Sequence, residues 1–324
     1  MVRKYVTETV LADATGIARA ARILRDGGLV AVPTETVYGL AARADDEAAV
    51  ARIFEAKGRP SFNPLIVHVR DAKQAAQYAE WGDNADLATL PWPGPLTIVV
   101  PALPEAVLAP AVTAGLPTVA VRAPAHPVMR QLLSQIDFPL AAPSANRSGF
   151  ISPTSAEHVL ASLDGRIDLV LDGGPTQAGV ESSILALRED GSWEELRAGP
   201  VDLDALHRHY FGIGLPLREE RKTLEAPGQL ASHYSPGKPV RLGVTDPAPD
   251  EIMIGFGPVA GDVTLSLSGE VKEAASNLYA CLHLAAVSDK PRIAVAPVPE
   301  KGVGRAINDR LRRAAAPADQ RRGS

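Results

Sequence analysis

The chain has 324 residues, 46% hydrophobic and 22% charged, which excludes an intrinsically disordered protein. Its formal net charge is −5, so no global basic field draws it to nucleic acid or anionic lipid. One Cys excludes an internal disulfide or a cysteine metal cluster, and the seven His lack the H-E-x-x-H spacing of a zinc site.

No apolar run reaches the roughly 18 residues of a membrane span, and MVRKYVTETVLADATG has no apolar signal core, so a cytoplasmic location is expected. The length suggests about two domains. Residues 15–26 predict a helix, with Ile17, Ala20, Ala21 and Leu24 on one face and Gly27-Gly28 as its stop. Residues 29–33 form a short apolar strand that runs into Thr34-Glu35-Thr36. A second helix is expected over 47–56, ending in Lys57-Gly58-Arg59-Pro60. Short apolar strands follow at 65–69, 97–100, 119–122, 140–142, 169–171 and 184–187, with helical stretches between several of them. This is the pattern of a mixed α/β domain, a twisted open sheet with flanking helices. After Gly199-Pro200 an amphipathic helix is expected over 201–211.

From 212 to 239 the periodicity dissolves into prolines and a charge cluster at 218–222, which reads as a long linker. Beyond it, strands are expected at 240–244, 252–256, 264–267 and 292–296. A helix is expected over 274–287, and a last helix carries Val303, Ile307 and Leu311. The expected organisation is a domain over 1–212, a linker over 213–239 and a small βα domain over 240–324.

In open α/β sheets ligands gather beyond the carboxyl ends of strands. Four strands here empty into small polar or cationic residues: Thr34-Glu35-Thr36, Arg122-Ala123-Pro124, Ser144-Ala145-Asn146 and Asp172-Gly173-Gly174. Each alone is ordinary turn chemistry; together they outline a site. Arg59 precedes Pro60 and is biased towards extended geometry, which puts Lys57 and Arg59 on one side as a clamp for polyphosphate oxygens. The alternative is a helix end decorated with bases that complement its dipole. Ser144 and Asn146 share the same spacing. His68 lies within an apolar strand, where a core role is the commoner one. Arg122 at a strand end needs an anion, either a ligand carboxylate or an Asp or Glu of the core. Glu181-Ser182-Ser183 opens another strand, and Arg197 closes one.

Cys281, among Tyr279, Leu282 and Leu284, reads as packing. The glycines of 255–261 miss the dinucleotide spacing, Pro258 stands where a helix would begin, and G-x-x-x-x-G-K-[ST] is absent. The tail from Lys301 carries seven basic and two acidic residues and reads as a solvated helix face with a frayed end, an RNA contact being the minority reading.

Taken together, VPTETVYGLAA, KGRPSFNPLIVHV, WPGPLTIVV, TVAVRAPAHP, APSANRSGFISPT, LVLDGG, GVESSIL and LRAGPV resemble, in order and spacing, the L-threonylcarbamoyl-AMP synthase family. Lys57/Arg59 and Ser144/Asn146 match its KxR and SxN pairs. APGQLASHYSPGKP matches its linker, with the HY-x-P element at His233, Tyr234 and Pro236, although APGQ stands where the family has a Pro-Gly-Met element. GVGRAINDRLRRAA resembles the closing helix of the family's long form, whose second domain is small and Rossmann-like.

The resemblance implies a nucleotidyltransferase. It would make threonylcarbamoyl-AMP and pyrophosphate from L-threonine, bicarbonate or CO2, and ATP, with Mg2+ carried by the ATP and no organic cofactor. The product would pass to a tRNA threonylcarbamoyl transferase; no membrane is involved. It further implies that Lys57, Arg59, Asn63, Thr118, Ser144, Asn146, Ser152, Arg197 and Tyr234 bind ATP, Lys57 and Arg59 being catalytic through charge stabilisation. Thr34, His68, Arg122 and Ser182 would bind threonine, Tyr234 would serve as a lid, and no residue stands out as a general base. Two rival readings are an RNA-binding module without catalysis and a related carbamoyl-adenylate enzyme that uses carbamoyl phosphate.

Overall fold

The protein is described by a computed structural model over residues 6–81, 91–188, 192–203, 205–206, 225–227 and 233–316. The first half runs β1 (Glu8–Leu11), α1 (Ala14–Arg25), β2 (Val30–Pro33), β3 (Tyr38–Arg43), α2 (Glu47–Lys57), β4 (Ile66–His68), α3 (Ala72–Ala75) and β5 (Leu96–Pro101). It continues with α4 (Pro110–Thr113), β6 (Thr118–Arg122), α5 (Pro127–Ser134), β7 (Leu140–Ala141), α6 (Ala156–Leu163), β8 (Leu169–Asp172), β9 (Ser183–Leu187) and β10 (Trp193–Arg197). These strands make one ten-stranded mixed sheet in the order β1-β8-β2-β3-β7-β4-β6-β5-β9-β10. The second half holds β11 (Val240–Leu242), β12 (Glu251–Gly255), β13 (Val263–Thr264), α7 (Val271–Val287), β14 (Arg292–Val295) and α8 (Gly304–Ala315). Its four strands pair in parallel in the order β11-β14-β12-β13. The α/β architecture read from the sequence is therefore the observed one.

Local signals explain the helices that carry the site. Asp46 caps α2 by accepting from the Ala48 and Ala49 amides, and Ala49, Val50, Ile53 and Ala56 form its buried face. The helix ends at Gly58, whose left-handed backbone (φ 59°, ψ 40°) closes the last turn. The clamp geometry expected of Lys57 and Arg59 is corrected here: Lys57 is the last helical residue, and Gly58 turns the chain before Arg59, so the two do not project from one extended segment. Strands β1 and β3 and helices α3 to α6 were not individually foreseen. The strand expected at 264–267 shrinks to Val263–Thr264, because Ser266 leaves the ladder to bond Glu273 and the Glu270 amide at the start of α7. Of the helix expected over 201–211, residues 204 and 207–211 lie outside the described residues, as do 212–224 and 228–232 of the linker.

Strand direction positions the site. β2 and β7 run opposite to β4 and β6, because β2 pairs antiparallel with β3, β3 with β7, and β7 with β4, while β4 and β6 are parallel. The carboxyl ends that lead to Thr34 and Ser144 therefore lie at one edge, and those at His68 and Arg122 at the other. One sheet face joins them. Ile66 and His68 share that face with Ala120 and Arg122, their register partners. The opposite face, with Val67, Val121, Ile98 and Leu185, belongs to the main core under the helices. The expectation of a site beyond one row of carboxyl ends is thus corrected to a site over the sheet face.

The two halves pack as neighbours. The core of the second half, built on Leu278, Leu282, Ile293 and Ile307, also takes in Val37, Ile151 and Val180 of the first. His158 on α6 stacks on His283 on α7 at 3.8 Å between ring centroids, and His283 Nε2 lies 3.2 Å from the Ser152 carbonyl. Burial, followed by the neighbouring His158, pushes His283 down to about 4 from an ordinary 6.5. Between those values the unfolded chain binds more protons than the folded one, so stability falls as pH drops from 6.5 towards 4. Urea midpoints at pH 7 and pH 5 are expected to show a smaller acid loss in His283→Gln than in wild type. Equal losses would remove this pair as a source of acid sensitivity.

Candidate active site

A cavity lies over the sheet face, lined by Thr34, Thr36, Val37, Gly39, Arg59, Ile66, His68, Arg122, Ser144, Glu181, Arg197, Pro227, His233 and Tyr234 among others. Seven residues singled out in the sequence meet there: Thr34, Arg59, His68, Arg122, Ser144, Arg197 and Tyr234. The remaining six do not line it. Lys57, Asn63 and Asn146 stand behind the wall, as do Ser152 and Ser182, while Thr118 opens β6 at the end opposite Arg122, about 13 Å away along the strand. Asp172-Gly173-Gly174 is likewise outside the lining; Gly174 instead accepts from the Tyr38 hydroxyl at 2.7 Å.

One end of the cavity is built around Arg122. Its guanidinium sits 2.7 Å from Glu35, donates to Thr36 Oγ1 at 3.0 Å and reaches the Gly94 carbonyl at 3.3 Å. Of the two anions left open by the sequence, the protein supplies the internal one, Glu35. Burial works against the Glu35 carboxylate, but Arg122 outweighs it and holds the carboxyl below its usual range. Thr34 uses its hydroxyl to hold its own loop, donating to the Val37 carbonyl and accepting from the Thr36 and Val37 amides. His68, register partner of Arg122, places Nδ1 3.2 Å from the Ile66 carbonyl. With that nitrogen donating, Nε2 is an acceptor. Burial, then the Arg122 charge, brings His68 down to about 3, so the ring is neutral.

The other end is cationic. Arg59 donates through Nε and Nη2 to the carbonyls of Asn63 and Pro64, leaving Nη1 without an acceptor among the described residues. Burial, and further Arg197, lower Arg59 to about 10 although Tyr234 works the other way. Arg197 donates to the Ser182 carbonyl, to Ser182 Oγ and to the Pro227 carbonyl at 3.0, 3.0 and 3.1 Å. Ser182 Oγ is in turn 2.7 Å from Thr97 Oγ1, so in this structure it steadies Arg197. Gly199 lets this strand approach: a Cβ there would meet Ser183 backbone at 2.3 Å. Lys57 is buried, and its ammonium donates to the carbonyls of Ser144 and Asn146. The KxR and SxN segments are thus joined by a lysine that holds a loop. Burial and the nearby Arg59 push that ammonium well below its usual value. Asn63 and Asn146 each keep a buried side-chain oxygen with no partner among the described residues.

The linker closes the cavity. Ser235 pairs with Phe150 and its amide donates to the Gly149 carbonyl at 2.8 Å, which lays the His-Tyr element on the SxN loop. Tyr234 takes a left-handed backbone (φ 62°), a strained choice for a non-glycine residue, and is buried between His233 and Tyr279. Residues given no role in the sequence reading are Glu35, Thr36, Glu181, Tyr279 and Arg310. Nothing local marks them, because their partners are far away in sequence: Glu35 meets Arg122, and Glu181 meets Tyr279 and Arg310.

This fold and cavity define a two-domain α/β enzyme whose pocket gathers buried cations at one end and a neutral imidazole beside an arginine at the other. Residues 22–199 match the Sua5/YciO/YrdC family model, described as "Telomere recombination", and residues 194–316 match the model described as "Threonylcarbamoyl-AMP synthase, C-terminal domain". The chain belongs to the threonylcarbamoyl-AMP synthase family. It is 41% identical over 319 residues to the threonylcarbamoyl-AMP synthase of Pyrococcus abyssi, spanning 91% of this chain and 92% of that one. The Bacillus subtilis threonylcarbamoyl-AMP synthase is 38% identical over 335 residues, 96% of each chain. The crystal structure of P. abyssi Sua5 complexed with L-threonine superposes with a TM-score of 0.82 at 37% identity, covering 96% of this chain and 97% of that one.

Lys57→Ala frees the Ser144–Asn146 loop. It is expected to lower the synthase rate about 100-fold, since a displacement of about 1 Å at a reacting centre costs that much. Arg59→Ala is expected to fall at least as far. Pyrophosphate release measured with threonine present tests both, and wild-type rates in both variants would remove this segment from the mechanism.

Proposed function

We propose that the chain makes threonylcarbamoyl-AMP and pyrophosphate from L-threonine, bicarbonate or CO2, and ATP. The observation that carries this reading is one cavity with Arg122 and His68 at one end and Arg59 and Arg197 at the other. The relatives' name and the threonine bound to the P. abyssi structure support it.

The threonine carboxylate is assigned to Arg122, where it competes with or displaces Glu35. Neutral His68 accepts from the amino acid's polar hydrogens, with Thr34 and Ser182 shaping that end. The threonine amine, once deprotonated, adds to CO2 and gives a carbamate. A carbamate oxygen attacks the α-phosphorus of ATP, the bond to the β-phosphate oxygen breaks, and pyrophosphate leaves. Arg59 and Arg197, backed by Lys57, Ser144 and Asn146, stabilise the charge on the phosphates. Asn63, Ser152 and Thr118 are assigned to the nucleotide more distantly. Among the described residues, Glu181 in the cavity wall and Glu35 beside Arg122 are both paired with arginine, so neither is a free carboxylate for Mg2+. Any Mg2+ is held by the phosphates it enters with.

The open space measures only about 50 Å³, room for a few waters. ATP therefore requires Pro227, His233 and Tyr234 to move, and that movement frees Arg197 Nη1 from the Pro227 carbonyl. On this reading the linker is a lid that excludes water from a labile carbamate. The division into 1–212, 213–239 and 240–324 fits the two separate sheets. No helix among the described residues is long and apolar enough to cross a membrane; a cytoplasmic location and delivery of product to a tRNA threonylcarbamoyl transferase complete the proposal.

Incubation with ATP, bicarbonate and each amino acid in turn, read by mass spectrometry, is expected to give an AMP-linked product with threonine foremost. Arg122→Gln is expected to raise the KM for threonine about 100-fold or more, from loss of a buried charge-assisted contact, with a smaller change in the KM for ATP. Turnover of carbamoyl phosphate in place of threonine, or tight salt-sensitive tRNA binding without ATP turnover, would each replace this function with one of its rivals.

A further inference from the structure

Among the described residues Glu181 is the one carboxylate that lines the cavity, and it faces inward from the turn before β9. Left alone, its charge would offset part of the positive charge of Arg59 and Arg197, which line the same cavity. It is not alone. Arg310, on α8 of the second half, donates through Nε to Glu181 Oε2 at 3.1 Å and through Nη1 to the Ala198 carbonyl at 2.6 Å. Tyr279 on α7 donates to the same carboxylate at 2.8 Å, and Ser152 does so at 2.6 Å. Arg310 is fully buried, the largest such side chain among the described residues. Its guanidinium carbon lies 5.8 Å from the centre of the Tyr234 ring, and Tyr234 stacks on Tyr279 at 5.6 Å. Asp309 also touches Arg310, but from the solvent side and a quarter exposed. The second half thus delivers a buried cation to a first-half acid at the wall of the cavity.

We propose that Arg310 sets the charge of the cavity: by neutralising Glu181 it leaves Arg59 and Arg197 to a polyphosphate, and it fixes the platform on which Tyr234 closes. The inference rests on the reading of this end of the cavity as the triphosphate site. It gives the second half a definite part in the reaction. Arg310 is a positioning residue; it acts through Glu181 and Tyr234 and does not touch the reacting atoms. A buried carboxylate stripped of its cation is a strongly unfavourable neighbour for an incoming anion, and the penalty grows with the charge of the ligand.

The test is calorimetric binding of adenosine, AMP, ADP and ATP to the full-length protein and its variants. Arg310→Met is expected to weaken ATP at least about tenfold, ADP and AMP progressively less, and adenosine not at all. Adding Glu181→Gln to Arg310→Met is expected to recover most of the ATP affinity. Glu181→Gln alone keeps Arg310 and adds one net positive charge, so ATP is expected to bind more tightly; this variant carries the test if Arg310→Met does not fold. An equal loss for all four ligands marks general deformation of the pocket and overturns the proposal, as does an unchanged ATP affinity in Arg310→Met or a weakened one in Glu181→Gln. Failure of the wild-type protein to bind ATP would instead overturn the triphosphate reading.

Discussion

Three cations, Lys57, Arg59 and Arg197, are held out of water at one end of the cavity, and none of them has a salt-bridge acid among the described residues. Burying a charge without a counter-ion is costly. The chain offsets that cost with oriented carbonyls: Ser144 and Asn146 for Lys57, Asn63 and Pro64 for Arg59, Ser182 and Pro227 for Arg197. Carbonyl dipoles solvate the cations without cancelling them. The wall stays positive and fixed in place, which is the condition for stabilising negative charge without reorganisation at the moment of reaction. Glu181, the carboxylate that lines the cavity among the described residues, is neutralised by an arginine from elsewhere in the chain.

The mixed sheet makes this arrangement possible. Antiparallel pairing of β7 with β4 sends the Ser144 loop to one edge and the His68–Arg122 pair to the other. Side chains from both edges converge over one face, whose apolar floor includes Ile66. Helices α1 and α5 cover this face over Val30, Val32, Leu140 and Ala142, and the linker and the second half cover it over the cationic end of the cavity. A purely parallel sheet would have carried the same residues to a single edge.

Chain connectivity then links the halves. Tyr234 belongs at once to the wall of the cavity and to the core of the second half, where it packs on Tyr279. Its left-handed backbone is held by neighbours on both sides, so the linker cannot be repositioned without disturbing contacts with α7 and α8. That conformation costs of order 1–3 kcal/mol, which these packing contacts offset. Arg197 is tied to the same segment, since its Nη1 donates to the Pro227 carbonyl.

Much of this protein is legible in the order of its residues. Short apolar segments separated by capped helices dictate an α/β fold, because period and punctuation are local properties. Asp46 and Gly58 bound α2 by themselves, and the KxR and SxN pairs mark the cationic end. What the order of residues does not contain is direction in space. Whether Lys57 points at a ligand or at the Ser144 carbonyl depends on a loop 87 residues away. Whether Arg122 meets a substrate or Glu35 depends on how one short loop folds over the sheet. The role of Glu181 is set by Arg310, 129 residues further on. Hydrophobic period and capping act between near neighbours and so survive in the sequence; pairing of buried charges acts across space, and only the folded chain fixes it.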